Sequence, residues 1–339
     1  MRNLARLALT IAALLTACSR PQSLVGLPTT PEAAPRDRER VGYKVSGSLI
    51  FVVNSFPASV TVYNASSHSS KPVATITQNL DNAARPCVDG SGVLYVPNDP
   101  PTGGGWISEY ALGHTELLRE VTKGISSPAA CAIDSSGNLW VTNISGPNVT
   151  EYLKGSTKPS TLITKGLTYP TAIAIDQADN LYVANPEPFS APNVQVYISG
   201  QSTPSRTITD GITFPVGIAI NKHSSLYVEN LFNSCNIQEY RNGQSRPYRT
   251  ITDELFGPLG IVVGRNSWLY VSDQPGAQGC ASSSNPTEIL EFPPHSRKPS
   301  SRMITGNWNN PEGLAYYPPL LPRDRLHSSQ DIHDSTDGS

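Results

Sequence analysis

The clearest pattern of apolar and polar positions in this 339-residue chain is a five-residue segment that recurs six times. Each copy reads aliphatic, aromatic, Val, a variable residue and then Asn or Asp, and successive copies begin 44, 45, 42, 45 and 43 residues apart. The copies occupy residues 50–54, 94–98, 139–143, 181–185, 226–230 and 269–273. Short apolar runs that end in a turn-forming residue predict buried β-strands. The period is typical of one four-stranded blade of a β-propeller.

Further patterns recur in step with this segment, so that each unit predicts four strands. One pattern ends in an aromatic residue, at Tyr63, Tyr110, Tyr152, Tyr197, Tyr240 and Phe292. Another centres on an aliphatic residue followed by Thr, and seven residues after that aliphatic a short apolar run begins. The six residues that head these runs are Ala83, Pro128, Pro170, Pro215, Pro258 and Pro311. Strands that are apolar on both faces suit blades that pack against two neighbours. The sequence therefore predicts an all-β, six-bladed propeller.

The two ends of the repeat predict how the ring closes. Residues 313–316 follow the head Pro311 and have no outer strands behind them, whereas the first unit has three outer strands and no headed inner strand. Pairing the two would complete the sixth blade. The alternative is that the alternating segment 41–45 supplies the closing strand, but the spacing before residue 313 favours the C-terminal strand.

The six Asn or Asp residues that end the repeated segment admit two interpretations. They could form a ring of ligands, or they could form turns by bonding to nearby backbone. Because all six units carry the residue, we favour the turn-forming role.

The first 18 residues have a different pattern. Arg2 and Arg6 flank the start of an apolar run over residues 7–17, which ends in Leu-Thr-Ala before Cys18. A basic start, a short apolar core and small residues before a cleavage site indicate a secretory signal peptide. The Leu-Thr-Ala-Cys ending resembles the lipobox of bacterial lipoproteins, in which the cysteine is acylated and begins the mature chain. The alternative is an ordinary signal peptide that happens to contain a cysteine. In the lipoprotein family a residue such as Ser19 after the cysteine, in place of Asp, implies the outer membrane.

These patterns predict four parts of the chain: a signal peptide at 1–17, a disordered tether at 18–40, the propeller at 41–317 and a disordered tail at 318–339. The tether and the tail are rich in proline and polar residues and cannot bury enough apolar surface to fold alone. The net charge of −2 and the isoelectric point near 6.3 leave no basic excess for nucleic acid. We therefore predict no nucleic-acid partner. The predicted membrane contact is made through acylated Cys18.

Four cysteines remain after Cys18, and export invites disulfides. Shifting Cys131 back by one 45-residue unit places it one position before Cys87 on the equivalent inner strand, which aims the two side chains at each other across neighbouring blades. Cys235 and Cys280 fall in corresponding loops of adjacent units. The predicted pairs are therefore Cys87–Cys131 and Cys235–Cys280. The alternative is four buried free thiols.

The unit at residues 170–197 reads Pro-Thr-Ala-Ile-Ala-Ile-Asp, then Leu-Tyr-Val-Ala-Asn, then Val-Gln-Val-Tyr. Such units resemble NHL-type repeats and the six-bladed group that includes regucalcin and the gluconolactonases. The resemblance spans residues 50–317 and is specific for fold more than for function. Lactonases of that group hold calcium with side chains that would here directly follow the strand heads. That position holds Ala84, Ala129, Thr171, Val216, Leu259 and Glu312. One carboxylate among these residues predicts no metal site, and the sequence indicates no cofactor.

The lengths of the loops between the second and third strands vary from unit to unit, and these loops lie at the end of the propeller where the connections enter the inner strands. Loops on a rigid scaffold commonly carry function. Candidate binding residues at this end are Trp106, Phe189, Phe232, Trp308, Asn309, Asn310 and Glu312. Exposed aromatic side chains suit contact with protein or carbohydrate. The alternative is that these rings cap the hydrophobic ends of the blades.

The catalytic patterns that we considered are missing from the sequence. It contains no Gly-x-Ser-x-Gly segment, and its six histidines fall in predicted turns or in the tail. The predicted function is a non-catalytic binding or scaffold module for a protein or glycan partner. The alternative is a metal-dependent hydrolase or lactonase that uses Glu312.

Overall fold

A computed structural model describes residues 42–66, 69–186, 191–232, 234–277, 280, 287–305 and 310–320. These residues form strands β1 to β24, numbered along the chain, and contain no α-helix. Accordingly, no helix that could cross a membrane is found among them.

The strands fall into four layers that run from the channel outwards. The innermost strands are β24 (Pro311–Tyr317), β4 (Cys87–Val88), β8 (Pro128–Ile133), β12 (Ala172–Ile175), β16 (Pro215–Ile220) and β20 (Pro258–Val263). The second strands are β1 (Leu49–Asn54), β5 (Leu94–Asn98), β9 (Leu139–Asn143), β13 (Leu181–Asn185), β17 (Leu226–Asn230) and β21 (Leu269–Asp273). The third strands are β2 (Ser59–Asn64), β6 (Trp106–Tyr110), β10 (Asn148–Tyr152), β14 (Asn193–Tyr197), β18 (Asn236–Tyr240) and β22 (Glu288–Phe292). The outermost strands are β3 (Ala74–Ile76), β7 (Leu117–Val121), β11 (Pro159–Ile163), β15 (Arg206–Ile208), β19 (Arg249–Ile251) and β23 (Ser301–Thr305).

Each layer contributes one strand to each of six antiparallel four-stranded sheets, which we number blades 1 to 6 in the order given above. The predicted six-bladed propeller is confirmed. The ring closes as the spacing favoured, because β24 pairs with β1 and places Ala315 opposite Phe51. The competing segment lies elsewhere: the Tyr43 N–H donates to the Gly113 carbonyl of blade 2 at 2.7 Å.

In blades 2 to 5 the recurring tyrosines join each blade to the connection that enters it. Their rings are buried, which suits a large apolar side chain with one polar tip. The hydroxyl of Tyr197 donates to the Lys165 carbonyl at 2.6 Å, and that of Tyr240 donates to the Asp210 carbonyl at 2.6 Å. The bulky side chain therefore fills the core while its hydroxyl satisfies a backbone carbonyl that no strand pairs.

The repeated Asn and Asp side chains have a structural role in five of the six blades. Asn143 accepts the Ser126 N–H at 2.9 Å, Asn230 accepts the Thr213 N–H at 3.0 Å, and Asp273 accepts the Gly257 N–H at 2.8 Å. Asn98 and Asn185 bond in the same way. The bonds reach back 16 or 17 residues, to the connection before the inner strand, and not to the adjacent turn. These side chains fix that connection and do not form a ligand ring.

Both predicted disulfides are confirmed. Cys87 and Cys131 join the inner strands of blades 2 and 3, with Cα atoms 5.5 Å apart. Cys235 and Cys280 join loops of blades 5 and 6, with Cα atoms 5.8 Å apart. Both separations lie in the ordinary range for disulfides, because repeat-equivalent positions of adjacent blades are close in space.

Candidate functional site

The loops between second and third strands share one end of the propeller with the connections that enter the inner strands. The Leu231 N–H donates to the Phe214 carbonyl at 3.0 Å, and the Gln274 N–H donates to the Gly257 carbonyl at 2.9 Å. We call this end the variable-loop end. The sequence analysis predicts the binding residues at this end.

The predicted aromatic residues at this end have different environments. Trp106 begins β6 and is half-buried, and its indole N–H lies 3.1 Å from both the Asn79 carbonyl and the Ser108 hydroxyl. Its polar group is satisfied inside the blade, so it caps the blade as the alternative interpretation expected. Phe232 is 39% exposed. Phe189, Trp308 and Asn309 lie outside the described residues.

Phe232 belongs to a small apolar patch. Its ring meets that of Phe214 edge-on, with centroids 4.4 Å apart. Beneath the rings lies a buried cluster of Val216, Leu231 and Leu259, with Ala277 and Cys280 against it. We call the two phenylalanines and this cluster the Phe232 patch. The Cys235–Cys280 disulfide fastens it to blade 6.

The backbone at the patch is held in an unusual conformation. Phe232 has φ of 46° and Cys235 has φ of 43°, in the left-handed region that side chains other than Asn and Asp seldom adopt. Such conformations persist where the surroundings impose them, and they concentrate at functional sites. Here the two residues lie beside the Phe214 ring and the Cys235–Cys280 disulfide.

A second exposed phenylalanine lies at the variable-loop end. Phe56, in the loop between β1 and β2, is 78% exposed. Sequence reasoning missed it, because its loop is short and carries no other binding signal. Its place two residues after Asn54, at the start of that loop, was the signal available.

The channel contains an arginine that sequence reasoning also missed. The residues two positions after the strand heads are Arg85, Ala130, Ala172, Gly217, Gly260 and Gly313. Five are small, so the ring has room for one long side chain. Arg85 runs close over Gly313, where an added Cβ would lie 2.7 Å from the Arg85 Cα. Its Nη2 donates to the Leu259 carbonyl of blade 6 at 3.4 Å.

A buried glutamate points toward the same space. Glu229 lies on β17 directly opposite Gly217, and its side chain covers that glycine so closely that an added Cβ would collide with Oε2. Glu229 is fully buried, and within the described residues neither of its carboxylate oxygens has a hydrogen-bond partner. The Arg85 Nε is equally unpaired there. Burial raises the pKa of Glu229 to about 8, the Asp273 charge adds to this, and the Arg85 charge opposes it.

Glu312 lies at the channel mouth beside the same arginine. Its Oε1 accepts the side-chain N–H of Asn310 at 2.5 Å. Burial raises the pKa of Glu312, while the Arg85 charge and hydrogen bonds from Asn310 and Ser55 oppose the rise. The sequence analysis gave Glu312 as the one carboxylate at its position, and the structure adds that it is half-buried and has an arginine neighbour.

The arrangement offers little to a metal ion. The residues at the Glu312 position in four of the other blades are the buried Ala84, Ala129, Val216 and Leu259, and the Thr171 hydroxyl donates to the Pro215 carbonyl at 3.3 Å. Over the described ranges no three side chains of His, Cys, Asp or Glu converge. Calcium requires six to eight oxygen ligands, and a nearby guanidinium repels a cation.

Comparison with known proteins supports the fold. No family model matches the sequence, and no curated protein is similar to it in sequence. A chain of the nidogen/laminin complex has a TM-score of 0.62 at 15% identity, over 80% of this chain and 98% of that one. A Bacteroides caccae protein of unknown function has a TM-score of 0.61 at 12% identity, over 80% and 99%. Hydrazine synthase from Kuenenia stuttgartiensis has a TM-score of 0.51 at 16% identity over 68% of this chain, which spans 66% of that enzyme chain. Identities this low show the fold alone.

Proposed function

We propose that this propeller is a non-catalytic module that binds a partner protein through its variable-loop end, with the Phe232 patch as the apolar anchor. The observation that carries the proposal is an exposed phenylalanine whose ring packs against Phe214, three residues before the Cys235–Cys280 disulfide. Ring burial in a preformed patch favours binding, because little side-chain freedom is lost on association.

A protein partner fits the patch better than a glycan. Phe214 and Phe232 have no polar group, and the patch around them is aliphatic side chains and a disulfide. A sugar needs hydrogen-bonding groups beside an aromatic face, whereas an apolar protein side chain needs only the ring and its surroundings. The nidogen/laminin complex contains two proteins, which offers an analogy for this use of the fold.

The proposal includes display at the cell envelope. Acylation at Cys18, followed by the tether at 18–40, would hold the propeller at a membrane, and Ser19 favours the outer one. Several acyl chains anchor firmly where one binds only marginally. Mass spectrometry of the mature N-terminus should find a lipidated cysteine, and Cys18→Ser should release the chain from the membrane fraction.

The first test of the binding face is site-specific photocrosslinking in the cells that produce the protein. A crosslinking residue at position 232 or 56 of the full chain should capture the same protein, identified by mass spectrometry. Position 162 is the matched control, since Leu162 is 58% exposed on the outermost strand β11. In a binding assay with the purified partner, Phe232→Ser should weaken affinity about tenfold or more, and Leu162→Ser should leave it unchanged.

Other outcomes would overturn the proposal. Equal capture from position 162, or no capture from position 232, would remove the assigned face. Binding to a glycan array that is lost in Phe232→Ser would replace the protein partner by a carbohydrate. A calcium-dependent rise in melting temperature that disappears in Glu312→Gln would favour the metal-dependent hydrolase.

A further inference from the structure

The central channel contains an open void that is separate from the variable-loop surface. Its volume is about 160 Å³. All six inner strands line it, and every strand contributes apolar side chains, such as Ile133, Ile175, Ile220 and Val263. Pro319 and Leu320 lie at the end remote from the variable loops. A void of this volume accepts a molecule about the size of benzene.

A smaller void of about 50 Å³ adjoins the first and contains the charged groups. The two voids share lining residues Pro86, Cys131, Ile173, Ile218, Ile261 and Leu314. Arg85 lines the smaller void, together with Gly217, behind which Glu229 lies. The side chains along the channel are therefore mainly apolar, and Arg85 adds a cationic group near the variable-loop end.

We propose that this channel binds a small apolar monocarboxylate of about six to eight carbon atoms, with its carboxylate on Arg85 and its hydrocarbon body in the aliphatic void. This site does not depend on the partner surface proposed above.

The polar groups at the end of the channel favour an anion. A buried Arg85 Nε without a partner carries a cost that a carboxylate would remove, because hydrogen bonds between ionised groups are the strong ones. Glu229 does not cancel the arginine charge at neutral pH, since its raised pKa keeps it mostly protonated and able to donate. The other two acidic groups nearby accept hydrogen bonds from groups other than Arg85. Asp273 accepts N–H groups from Phe256 and Gly257, and Glu312 accepts one from Asn310.

The shape of the channel favours an organic acid over an inorganic anion. An anion alone would fill the smaller void and leave the aliphatic one empty. A neutral alcohol would fill the aliphatic void and leave the arginine unpaired. A molecule with both parts satisfies both regions, which is the usual composition of small-molecule sites.

Isothermal titration calorimetry on the full chain separates these ligands. Hexanoate is the probe, hexan-1-ol supplies the body without the charge, and acetate supplies the charge without the body. Hexanoate should bind about tenfold or more tightly than either. Arg85→Gln should remove that preference, whereas Arg246→Gln, an equal charge change at a surface site, should retain it.

A second pair of variants keeps the test decisive if Arg85→Gln folds poorly. Ile175→Phe and Ile220→Phe add volume at the wall of the void, where both side chains are only partly buried and do not touch the arginine, and both should abolish hexanoate binding. Equal affinity for hexanoate and hexan-1-ol, binding of acetate as tight as hexanoate, no heat with millimolar hexanoate, or full binding by the phenylalanine variants would each overturn the proposal.

Discussion

Blade 5 contains two buried glutamates with opposite surroundings. Glu239, on β18, forms a salt bridge to Arg249 at 2.5 Å and accepts the Tyr227 hydroxyl at 3.2 Å. Arg249 in turn donates to the Ser296 carbonyl of blade 6 at 2.7 Å. Glu229, on the adjacent strand, is as deeply buried and has no partner within the described residues. One blade therefore contains both a fully paired glutamate and an unpaired one, on adjacent strands.

The paired arrangement is structural, because the chain uses it twice. In blade 2, Glu109 and Arg119 occupy equivalent positions at 2.8 Å, and Arg119 donates to the Gly155 carbonyl of blade 3 at 2.6 Å. Each network joins a blade to its neighbour. The arginine and glutamate of the channel are not repeated in any other blade. Buried polar groups normally have hydrogen-bond partners. The buried polar atoms of Arg85 and Glu229 that lack one among the described residues therefore favour the ligand proposed for the channel.

The largest effect should come from breaking the closed pair, which is the buried ion pair of Glu239 and Arg249. Arg249→Leu leaves Glu239 buried without its cation, and we expect a loss of about 3–5 kcal/mol in the free energy of unfolding. Urea unfolding measures it. The double variant Glu239→Leu/Arg249→Leu should recover most of the loss, since it leaves no unpaired charge. A single-variant cost below about 1 kcal/mol would contradict the structural role.

Removing the open carboxylate should have a smaller effect of opposite sign. The folded pKa of Glu229 lies near 8, above the value near 4.3 of an unfolded chain, so the folded state holds a proton that the unfolded state has lost. The wild-type chain therefore loses stability as pH rises through this window. Glu229→Gln has no such proton, and its stability advantage should grow by about 3 kcal/mol between pH 5 and pH 7.5. Parallel stability curves for the two proteins would show that Glu229 is ionised in the fold.

Much of the fold was predictable because it is repeated six times. Blade number, ring closure and both disulfides depend on the phase of the repeat, and an error in one unit is corrected by the other five. Arg85 and Glu229 are single exceptions to that repeat. At the position of Arg85 the other units have Ala or Gly. At the position of Glu229 they have Val, Pro, Thr, Ala or Ser.

The strand heads explain why inspection of the sequence overlooked Arg85. The register shifts between Pro215 and Gly217, and again between Pro258 and Gly260. Such a bulge places the residue two positions after the head, and not the next one, beside the channel. Periodicity cannot show a bulge. The exposure of Phe232 was equally hidden, because it depends on a left-handed backbone and a loop disulfide.

The smallest effect should come from an ion pair in water. Arg246 and Asp210 lie 3.4 Å apart, with side chains 90% and 56% exposed. Solvent screens their attraction, and holding two long side chains in place costs entropy, so Arg246→Ala should change the free energy of unfolding by less than about 0.5 kcal/mol. Urea unfolding in low and high salt gives the value and its screening. A cost comparable to that of Arg249→Leu would mean that burial does not distinguish the ionic groups of this propeller. The contrast between the closed pair and the open channel pair would then lose its physical basis.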